Sequence, residues 1–161
     1  MSTKFPGRPS RRALLAFAGV ATAVLPQLRS RYARASTHAV RDIIQPDRAS
    51  PAAFIERAFA LRQQAVDSGD QAYGAAVVKD GKIIGQSQSL VVLDDDPSAH
   101  AEMSAIRDAA RRVGRAGLRG ATLYSSSRPC PMCEAAAFWA GLEGFHFGRG
   151  IEPGGAPRLC G

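Results

Sequence analysis

Two short motifs bring together the residue types that a catalytic metal site needs. The first is His100-Ala101-Glu102, and the second, further along the chain, is Pro129-Cys130-Pro131-Met132-Cys133. One imidazole and two thiolates suit zinc, and three protein ligands leave the fourth tetrahedral position open for water. The motifs therefore predict a zinc site whose ligands are His100, Cys130 and Cys133. Glu102 is predicted to stay off the metal, where its carboxylate can move protons.

Other interpretations of these residues are weaker. A structural zinc site would need a fourth protein ligand, but His38 and His146 are single and remote in sequence, and Cys160 is nearly terminal. A redox dithiol at the cysteine pair would leave the His-x-Glu motif without a role. Glu102 could also serve only as a favourable charge near a helix N-terminus. Cys160 is predicted to be an exposed thiol or an intermolecular crosslink, without a catalytic role.

The first half of the chain predicts a helix followed by a pair of strands. Ser50 and Pro51 are typical of a helix start, apolar residues then recur at helical spacing, and Gly69 can end the helix. Two apolar runs within residues 73–88 flank Asp80-Gly81, a dipeptide that favours a tight turn between antiparallel strands.

The metal motifs fall in the second half, at the starts of two further predicted helices. Ser98 can cap a helix from about Ala99 to Val113, and the cysteine motif opens a helix over about residues 131–140. Strands are predicted at residues 121–125 and 145–147. This order of elements predicts an α/β fold, with a mixed sheet of about four strands and helices on its faces.

The two predicted helix starts are expected to meet above the sheet. Cys130 and Cys133 have i, i+3 spacing, which places both sulfurs on one side of their helix. The positive end of a helix dipole also lowers the pKa of a nearby thiol, which favours the thiolate form that binds metal.

Residues 1–35 have the features of an export signal. Arg11 and Arg12 precede Ala13–Leu25, an apolar or small-residue run too short for the about 20 residues of a membrane span. Ala33-Arg34-Ala35 then has the form of a cleavage site. The segment resembles a bacterial twin-arginine signal peptide, which implies a periplasmic or otherwise exported protein with no stable membrane span. A short buried helix with a basic N-terminus is the alternative.

The net charge of +7 does not extend over the whole chain. Residues 1–35 hold seven of the 21 Lys and Arg and no acidic residue, so the remaining 14 basic residues balance all 14 Asp and Glu. An overall positive field that could gather nucleic-acid phosphates is therefore not expected beyond residue 35. A local basic cluster fits a solvated helix face better than an RNA groove; it comprises Arg111, Arg112, Arg115 and Arg119.

Four segments are predicted along the chain. Residues 1–35 form the signal peptide and residues 36–50 an irregular segment without a sustained period. Residues 51–150 form the metal-binding domain, and residues 151–161, which contain Gly-Gly-Ala-Pro, form a loose tail.

Residues 52–148 resemble the cytidine deaminase-like superfamily. The run from Asp96 to Glu102 and the Pro-Cys motif are most similar to its guanine deaminase and tRNA adenosine deaminase branch. The cytidine deaminase branch has Cys at the position of His100. The resemblance implies the three-layer α-β-α cytidine deaminase-like fold, Zn²⁺ as cofactor and a homodimer. The chain is C-terminally short beside these relatives, so a partner subunit is expected to cover the pocket, or activity to be relaxed or lost.

The resemblance also implies a reaction. Zinc lowers the pKa of water to about 7, and Glu102 takes a proton from that water, passes it to a ring nitrogen and helps ammonia to leave. The implied substrate is a small nucleobase or nucleoside, with guanine or a related aminopurine expected first. A tRNA adenosine deaminase and a non-catalytic zinc-binding module with the same fold are the alternatives.

Substrate contacts follow from the same resemblance, with departures. Ser89 occupies the position at which the branch has an Asn that hydrogen-bonds the base, and Ser is shorter with a single donor. Tyr73, Gly74 and Ala75 match the flank of the first strand and are expected, with Ser89, to bind substrate. Arg128 replaces an acidic residue before Pro-Cys, and either an anion contact or a plain surface role fits it.

Three aromatic residues of the domain could stack on a base. They are Tyr73, Phe138 and Trp139. Because aromatic residues are more often buried in the core, a core position is the first expectation for each of them.

Overall fold

Five strands form one mixed sheet with helices on both faces in the computed structural model, which describes residues 42–159. The helices are α1 (Pro51–Asp67), α2 (Ala101–Gly117) and α3 (Pro131–Ala140). The strands are β1 (Gly74–Lys79), β2 (Lys82–Gln88), β3 (Thr122–Ser125), β4 (Gly144–Phe147) and β5 (Glu152–Gly155). The predicted signal peptide and Cys160 lie outside the described residues.

The sheet has the strand order β2-β1-β3-β4-β5. Strand β1 pairs antiparallel with both β2 and β3, whereas β3 and β4 are parallel and β5 returns antiparallel to β4. A parallel pair needs a crossover, and α3 supplies it between β3 and β4. The loop that enters α3 therefore begins where β3 ends, which brings the cysteine motif to that end of the sheet.

Alternate residues of β1, β2 and β3 enter two separate cores. One face of the sheet packs against α2 and α3 through residues that include Val77, Leu123 and Phe145. The opposite face packs against α1, where Phe54 and Tyr124 meet with ring centroids 5.1 Å apart. The three layers confirm the predicted α-β-α architecture.

The local signals at α1 and the hairpin are confirmed. The Ser50 side chain accepts a hydrogen bond from the Ala53 amide at 3.1 Å, which caps α1, and Pro51 is the first helical residue. Asp80 and Gly81 join β1 to β2 with φ angles of 50° and 72°, the positive values that a tight hairpin turn requires.

Two glycines allow the helices to lie against the sheet. A Cβ atom at Gly74 would clash with the Ala58 carbonyl oxygen of α1, and one at Gly85 would clash with the Ala109 amide of α2. Both strands therefore need a residue without a side chain where a helix backbone approaches.

The start of α2 differs from the prediction. The N-cap residue is His100, not Ser98, and the helix begins at Ala101. The Ser98 amide and hydroxyl instead both donate to the Asp96 carboxylate at 2.7 Å, because an Asp side chain two residues earlier competes for them in a local turn. The helical run continues to Gly117, but Gly114 (φ 69°, ψ 166°) breaks it near the predicted end.

The segments before α1 and after β4 each contact an edge of the sheet. Residues 42–50 contain no helix or strand, yet Gln45 donates to and accepts from the Ile83 backbone, so the segment follows the outer edge of β2. The predicted loose tail contains β5. Its sequence, Glu-Pro-Gly-Gly, carries no strand signal, and its pairing with β4 at the sheet edge overrides composition; proline is tolerated on an edge strand.

The Asp70 side chain ties the end of α1 to the loop that leads toward His100. Its carboxylate accepts from the Gln71 amide at 2.7 Å and from the Val92 and Leu93 amides at 2.9 Å each. Burial raises the pKa of Asp70, but the Ser89 side chain and these three amides outweigh it and hold the pKa below its ordinary value.

Replacing Asp70 by alanine is expected to lower the free energy of unfolding by about 2–3 kcal/mol at pH 7, because amide partners of a buried carboxylate are lost. A lowered folded pKa means that this stability is complete above the unfolded pKa of about 3.9 and is lost as pH falls through the folded value. Urea melts at pH 7 and pH 3 should therefore show a smaller difference between variant and wild type at pH 3. Asp67→Ala, at the exposed end of the same helix, is the matched control.

Among the described residues, no helix has the length and hydropathy that crossing a bilayer requires.

Candidate active site

The three predicted metal ligands converge. His100 Nδ1 lies 3.7 Å from Cys130 Sγ and 3.7 Å from Cys133 Sγ, and the two sulfurs lie 3.7 Å from each other. Within residues 42–159, these three side chains form the one group whose ligand atoms are near enough to share an ion. The prediction of a common site from two separate motifs therefore agrees with the structure.

The size of this triangle matches zinc. Tetrahedral Zn²⁺ with bonds of about 2.3 Å to sulfur and about 2.0–2.1 Å to nitrogen separates two sulfurs by about 3.8 Å and a sulfur from a nitrogen by about 3.6 Å. The observed distances of 3.7 Å agree with both values. One imidazole and two thiols are also a donor set that zinc prefers, and three ligands leave one coordination position open.

Two helix starts hold the ligands. His100 is the N-cap residue of α2, and Cys130 is the N-cap residue of α3, with Cys133 in the first turn. Neither N-cap side chain makes a capping hydrogen bond to the backbone of its helix, and both face the shared site. The parallel β3–α3–β4 crossover and the contact between α2 and α3 bring the two starts together.

Glu102 lies beside the triangle without belonging to it. Its side chain is buried, with 4% exposed, and its Oε2 atom accepts from the Cys133 thiol at 3.6 Å. Its Oε1 atom accepts from the Ser125 hydroxyl at 2.7 Å. One carboxylate oxygen is therefore anchored to the sheet while the other faces the metal ligands.

The Cys133 thiol needs a cation to ionise. Burial raises the pKa of this thiol, and the neighbouring Glu102 carboxylate and Cys130 raise it further. The expectation that the helix N-terminus lowers the thiol pKa is therefore wrong at Cys133, because desolvation and a nearby negative charge outweigh the helix dipole. A divalent ion reverses this balance, since a coordinating thiol is deprotonated.

Sequence reasoning missed the role of Ser125. The sequence predicts only that this residue ends a strand, but its hydroxyl is fully buried and donates to Glu102 across 23 residues of sequence. A serine directly after Leu123 and Tyr124 at the end of the strand was the available signal, since buried hydroxyls require partners.

Tyr73 and Gly74 lie beside the site in different environments. Tyr73 is 44% exposed and lines a cavity of about 480 Å³, so the expectation of a core position is wrong for it. Gly74 is buried, and both of its backbone polar groups are paired with Ser126: its amide donates to the Ser126 hydroxyl and its carbonyl accepts from the Ser126 amide. The packing against α1 already explains Gly74, and its contact with substrate stays a prediction.

Ser89 and Ala75 are both fully buried. Ala75 packs in the core between the sheet and α2 and pairs with Ser87 and Ser125 on the adjacent strands. The Ser89 amide donates to the Tyr73 carbonyl. The Ser89 hydroxyl has no hydrogen-bond partner of good geometry among the described residues, but it is near enough to Asp70 to help lower the pKa of that carboxyl group. Roles for both residues in substrate binding stay predictions.

The surface also carries Phe138, Trp139 and Arg128. Phe138 and Trp139 are 43% and 63% exposed on α3 and make an edge-to-face contact, so core positions are wrong for them too. Their helix is apolar on more than one face, and only Cys133 and Ala137 are buried. Arg128 is exposed with its guanidinium 5.4 Å from the Phe147 ring centroid, which agrees with a surface role.

The fold and the three-ligand triangle are those of a deaminase-type zinc-binding domain. Residues 49–149 match the Cytidine and deoxycytidylate deaminase zinc-binding region, and the chain belongs to this family.

Two relatives show which members the chain is similar to. It is 44% identical over 88 residues to a guanine deaminase of Bacillus subtilis, covering 54% of this chain and 56% of that protein. It is 38% identical over 90 residues to a tRNA-specific adenosine deaminase of Aquifex aeolicus, covering 56% and 60%. The chain thus spans less than two thirds of the length of these two curated relatives.

The crystal structure of the guanine deaminase from Bacillus subtilis has the same fold. It superposes with a TM-score of 0.54 at 39% identity, covering 58% of this chain and 60% of that one. The likeness to the guanine deaminase and tRNA adenosine deaminase branch is therefore confirmed at the level of sequence and fold.

Proposed function

We propose that the chain is a zinc-dependent hydrolytic deaminase of a small nucleobase or nucleoside, with guanine or a related aminopurine favoured. One observation carries the proposal: the Glu102 carboxylate is buried against a zinc-sized ligand triangle, 3.6 Å from one ligand sulfur, without being a member of the ligand set. A purely structural zinc site has no need of such a group. The higher identity to a guanine deaminase supports the choice of a purine base.

The chain's own residues divide the work of proton transfer. His100, Cys130 and Cys133 would hold the ion, which would act as a Lewis acid and lower the pKa of water. Ser125 fixes Glu102 through Oε1, so Oε2 is the oxygen that can take a proton near the metal and return it to the substrate. Because the carboxylate is held rather than free to rotate, little reorganisation is needed for each transfer.

Substrate contacts are proposed around the same end of the sheet. Ser89 is the proposed donor to the base, since its buried hydroxyl is not committed to a hydrogen bond of good geometry. Tyr73 is proposed to stack on the base from its half-exposed position, and the backbone of Gly74 and Ala75 to line the pocket floor.

A tRNA adenosine deaminase is the second candidate, favoured by the identity to the Aquifex aeolicus protein. The balanced charge of residues 36–161 argues against it, because tRNA binding relies on an excess of basic residues. Export, proposed from residues 1–35, would also separate the protein from tRNA; cell fractionation tests it.

A homodimer is proposed as well, with the exposed Phe138 and Trp139 on α3 as available apolar surface, and sedimentation velocity tests it.

The experiment that tests the function is ammonia release from a substrate panel. Guanine, adenine, cytosine, 2,6-diaminopurine, their nucleosides and an adenosine-containing RNA hairpin are each incubated with the zinc-loaded full chain. We expect the highest kcat/KM for an aminopurine base or nucleoside. Turnover of the hairpin alone would replace the proposal with the tRNA candidate, and zinc binding without turnover of any compound would leave a non-catalytic module.

A further inference from the structure

The chain after β4 turns back to the helix that carries two of the metal ligands. Residues 150–159 lie outside the range that matches the family, and β5 within them adds the last strand of the sheet. A Cβ atom at Gly154 would clash with the Phe145 ring, so β5 lies directly on the core that α3 shares. Beyond β5, Pro157 is buried and Arg158 contacts the first turn of α3. Residues 156–159, here called the β5 tail, therefore connect the edge of the sheet to the metal-binding helix.

Glu134 is the residue of α3 that holds the β5 tail. Its Oε1 atom accepts from the Arg158 amide at 3.2 Å and lies 3.7 Å from the Arg158 Nε atom. The Glu134 side chain is only 14% exposed, whereas the Arg158 side chain is 80% exposed. Because exposed ion pairs contribute little, the amide hydrogen bond to the shielded carboxylate is the main contact between the two residues.

Glu134 is also joined through the backbone to both cysteine ligands. It directly follows Cys133 in the chain, and its amide donates to the Cys130 carbonyl at 2.9 Å. Cys130 is the N-cap residue of α3, but its side chain makes no capping hydrogen bond. The contact between Glu134 and the β5 tail therefore restrains the first turn of α3 from outside the helix.

We propose that Glu134 and the Arg158 amide form a clamp that positions the two cysteine ligands and slows the loss of zinc. Neither residue belongs to the ligand set, so both are positioning residues. A restrained backbone keeps the two sulfurs at the separation that the ion requires, and groups that orient metal ligands commonly change metal affinity about 10–100-fold. The inference rests on the zinc site of the proposed function, but not on which substrate is deaminated.

The rate of zinc release tests the clamp without any turnover. The zinc-loaded full chain is mixed with an excess of the chromogenic chelator pyridylazoresorcinol, and zinc transfer is followed by absorbance. Arg158→Pro removes the donating amide but keeps the Glu134 charge at the start of α3. We expect Arg158→Pro and Glu134→Ala each to release zinc about 10-fold faster than the wild type. Release from Arg158→Pro at the wild-type rate would overturn the proposal.

Combining the substitutions shows whether the two groups act together. Because both remove the same hydrogen bond, the double variant of Glu134→Ala and Arg158→Pro should release zinc within about 2-fold of either single variant. Acceleration by the product of the two single effects would show independent roles and contradict the clamp. Arg158→Ala keeps the amide and removes only an exposed guanidinium, so its release rate should stay within about 2-fold of the wild type. Acceleration equal to that of Arg158→Pro would exclude the amide as the main contact.

Two controls separate positioning from a general loss of stability. Ser50→Ala removes the N-cap hydrogen bond of α1, which packs on the opposite face of the sheet. Glu56→Ala removes an exposed carboxylate that lies 3.5 Å from the Arg149 guanidinium. Zinc release from both controls should stay within about 2-fold of the wild type, since surface ion pairs and distant sites act independently. Release from Ser50→Ala as fast as from Arg158→Pro would show that destabilisation alone is enough and would overturn the clamp.

The same preparations separate the clamp from the proposed function. Faster zinc release from Glu134→Ala and Arg158→Pro, with no deamination of any compound by the wild type, would support the clamp and overturn the proposed function. Deamination by the wild type, with zinc release unchanged in both variants, would overturn the clamp and leave the proposed function intact.

Discussion

Glu102→Gln is expected to lower kcat by about 10²–10⁴-fold, the contribution usual for a positioned general acid–base group. The amide keeps the size of the side chain and an oxygen that can accept from Ser125, but it cannot take up a proton near the metal. Because Glu102 is outside the ligand set, zinc content measured by atomic absorption should stay equal to that of the wild type. Steady-state ammonia release on the best substrate of the panel gives the rate.

Ser125→Ala is the control for Glu102→Gln, with a smaller expected loss of kcat. It leaves the carboxylate in place but removes the hydroxyl that holds Oε1, so its loss of kcat should be smaller than that of Glu102→Gln. Zinc loss from Glu102→Gln would make the carboxylate a metal ligand and contradict the assigned role. Ammonia release at the wild-type rate would remove Glu102 from the mechanism altogether.

Cys133→Ala is expected to abolish both zinc binding and turnover. The fully buried Cys133 sulfur forms two of the three 3.7 Å sides of the ligand triangle, and two remaining side chains make a poor tetrahedral site. The apparent melting temperature should also fall, since an ion that binds only the folded state stabilises it. Metal analysis, ammonia release and a thermal melt measure the three effects.

Cys160→Ala is the cysteine control and should retain zinc and activity, because three ligands are already present without it. Unchanged zinc content in Cys133→Ala would show that the metal is held elsewhere and would contradict the site. Loss of zinc in the Cys160 variant would indicate a fourth protein ligand and hence a structural rather than a catalytic ion.

The metal ligands could be predicted from sequence because zinc chemistry restricts both their types and their spacing. His100, Cys130 and Cys133 sit at helix starts that local signals already indicated, so a wrong helix boundary at Ser98 did not matter. The hairpin at Asp80-Gly81 was equally local. In each case, short-range preferences and the tertiary fold require the same arrangement.

Features that depend on strand register were not accessible in the same way. The hydrogen bond between Ser125 and Glu102 requires α2 to pack on the sheet at one particular position along β3. The pattern of apolar residues in the sequence does not specify that position. Strand β5 forms from residues with little strand preference because β4 offers an open edge, and Tyr73 stays exposed because it borders a cavity. Long-range pairing decides these positions, whereas composition alone predicts otherwise.

The two N-cap residues that turn toward the ion have a consequence for folding. A polar side chain at an N-cap position ordinarily stabilises its helix by about 0.5–2 kcal/mol. Neither α2 nor α3 has this contribution, because neither N-cap side chain forms a capping hydrogen bond. Metal binding and helix capping thus require different side chains at the two N-cap positions, His100 and Cys130. A bound ion would connect the first residues of both helices, so metal binding is expected to stabilise the two helices together.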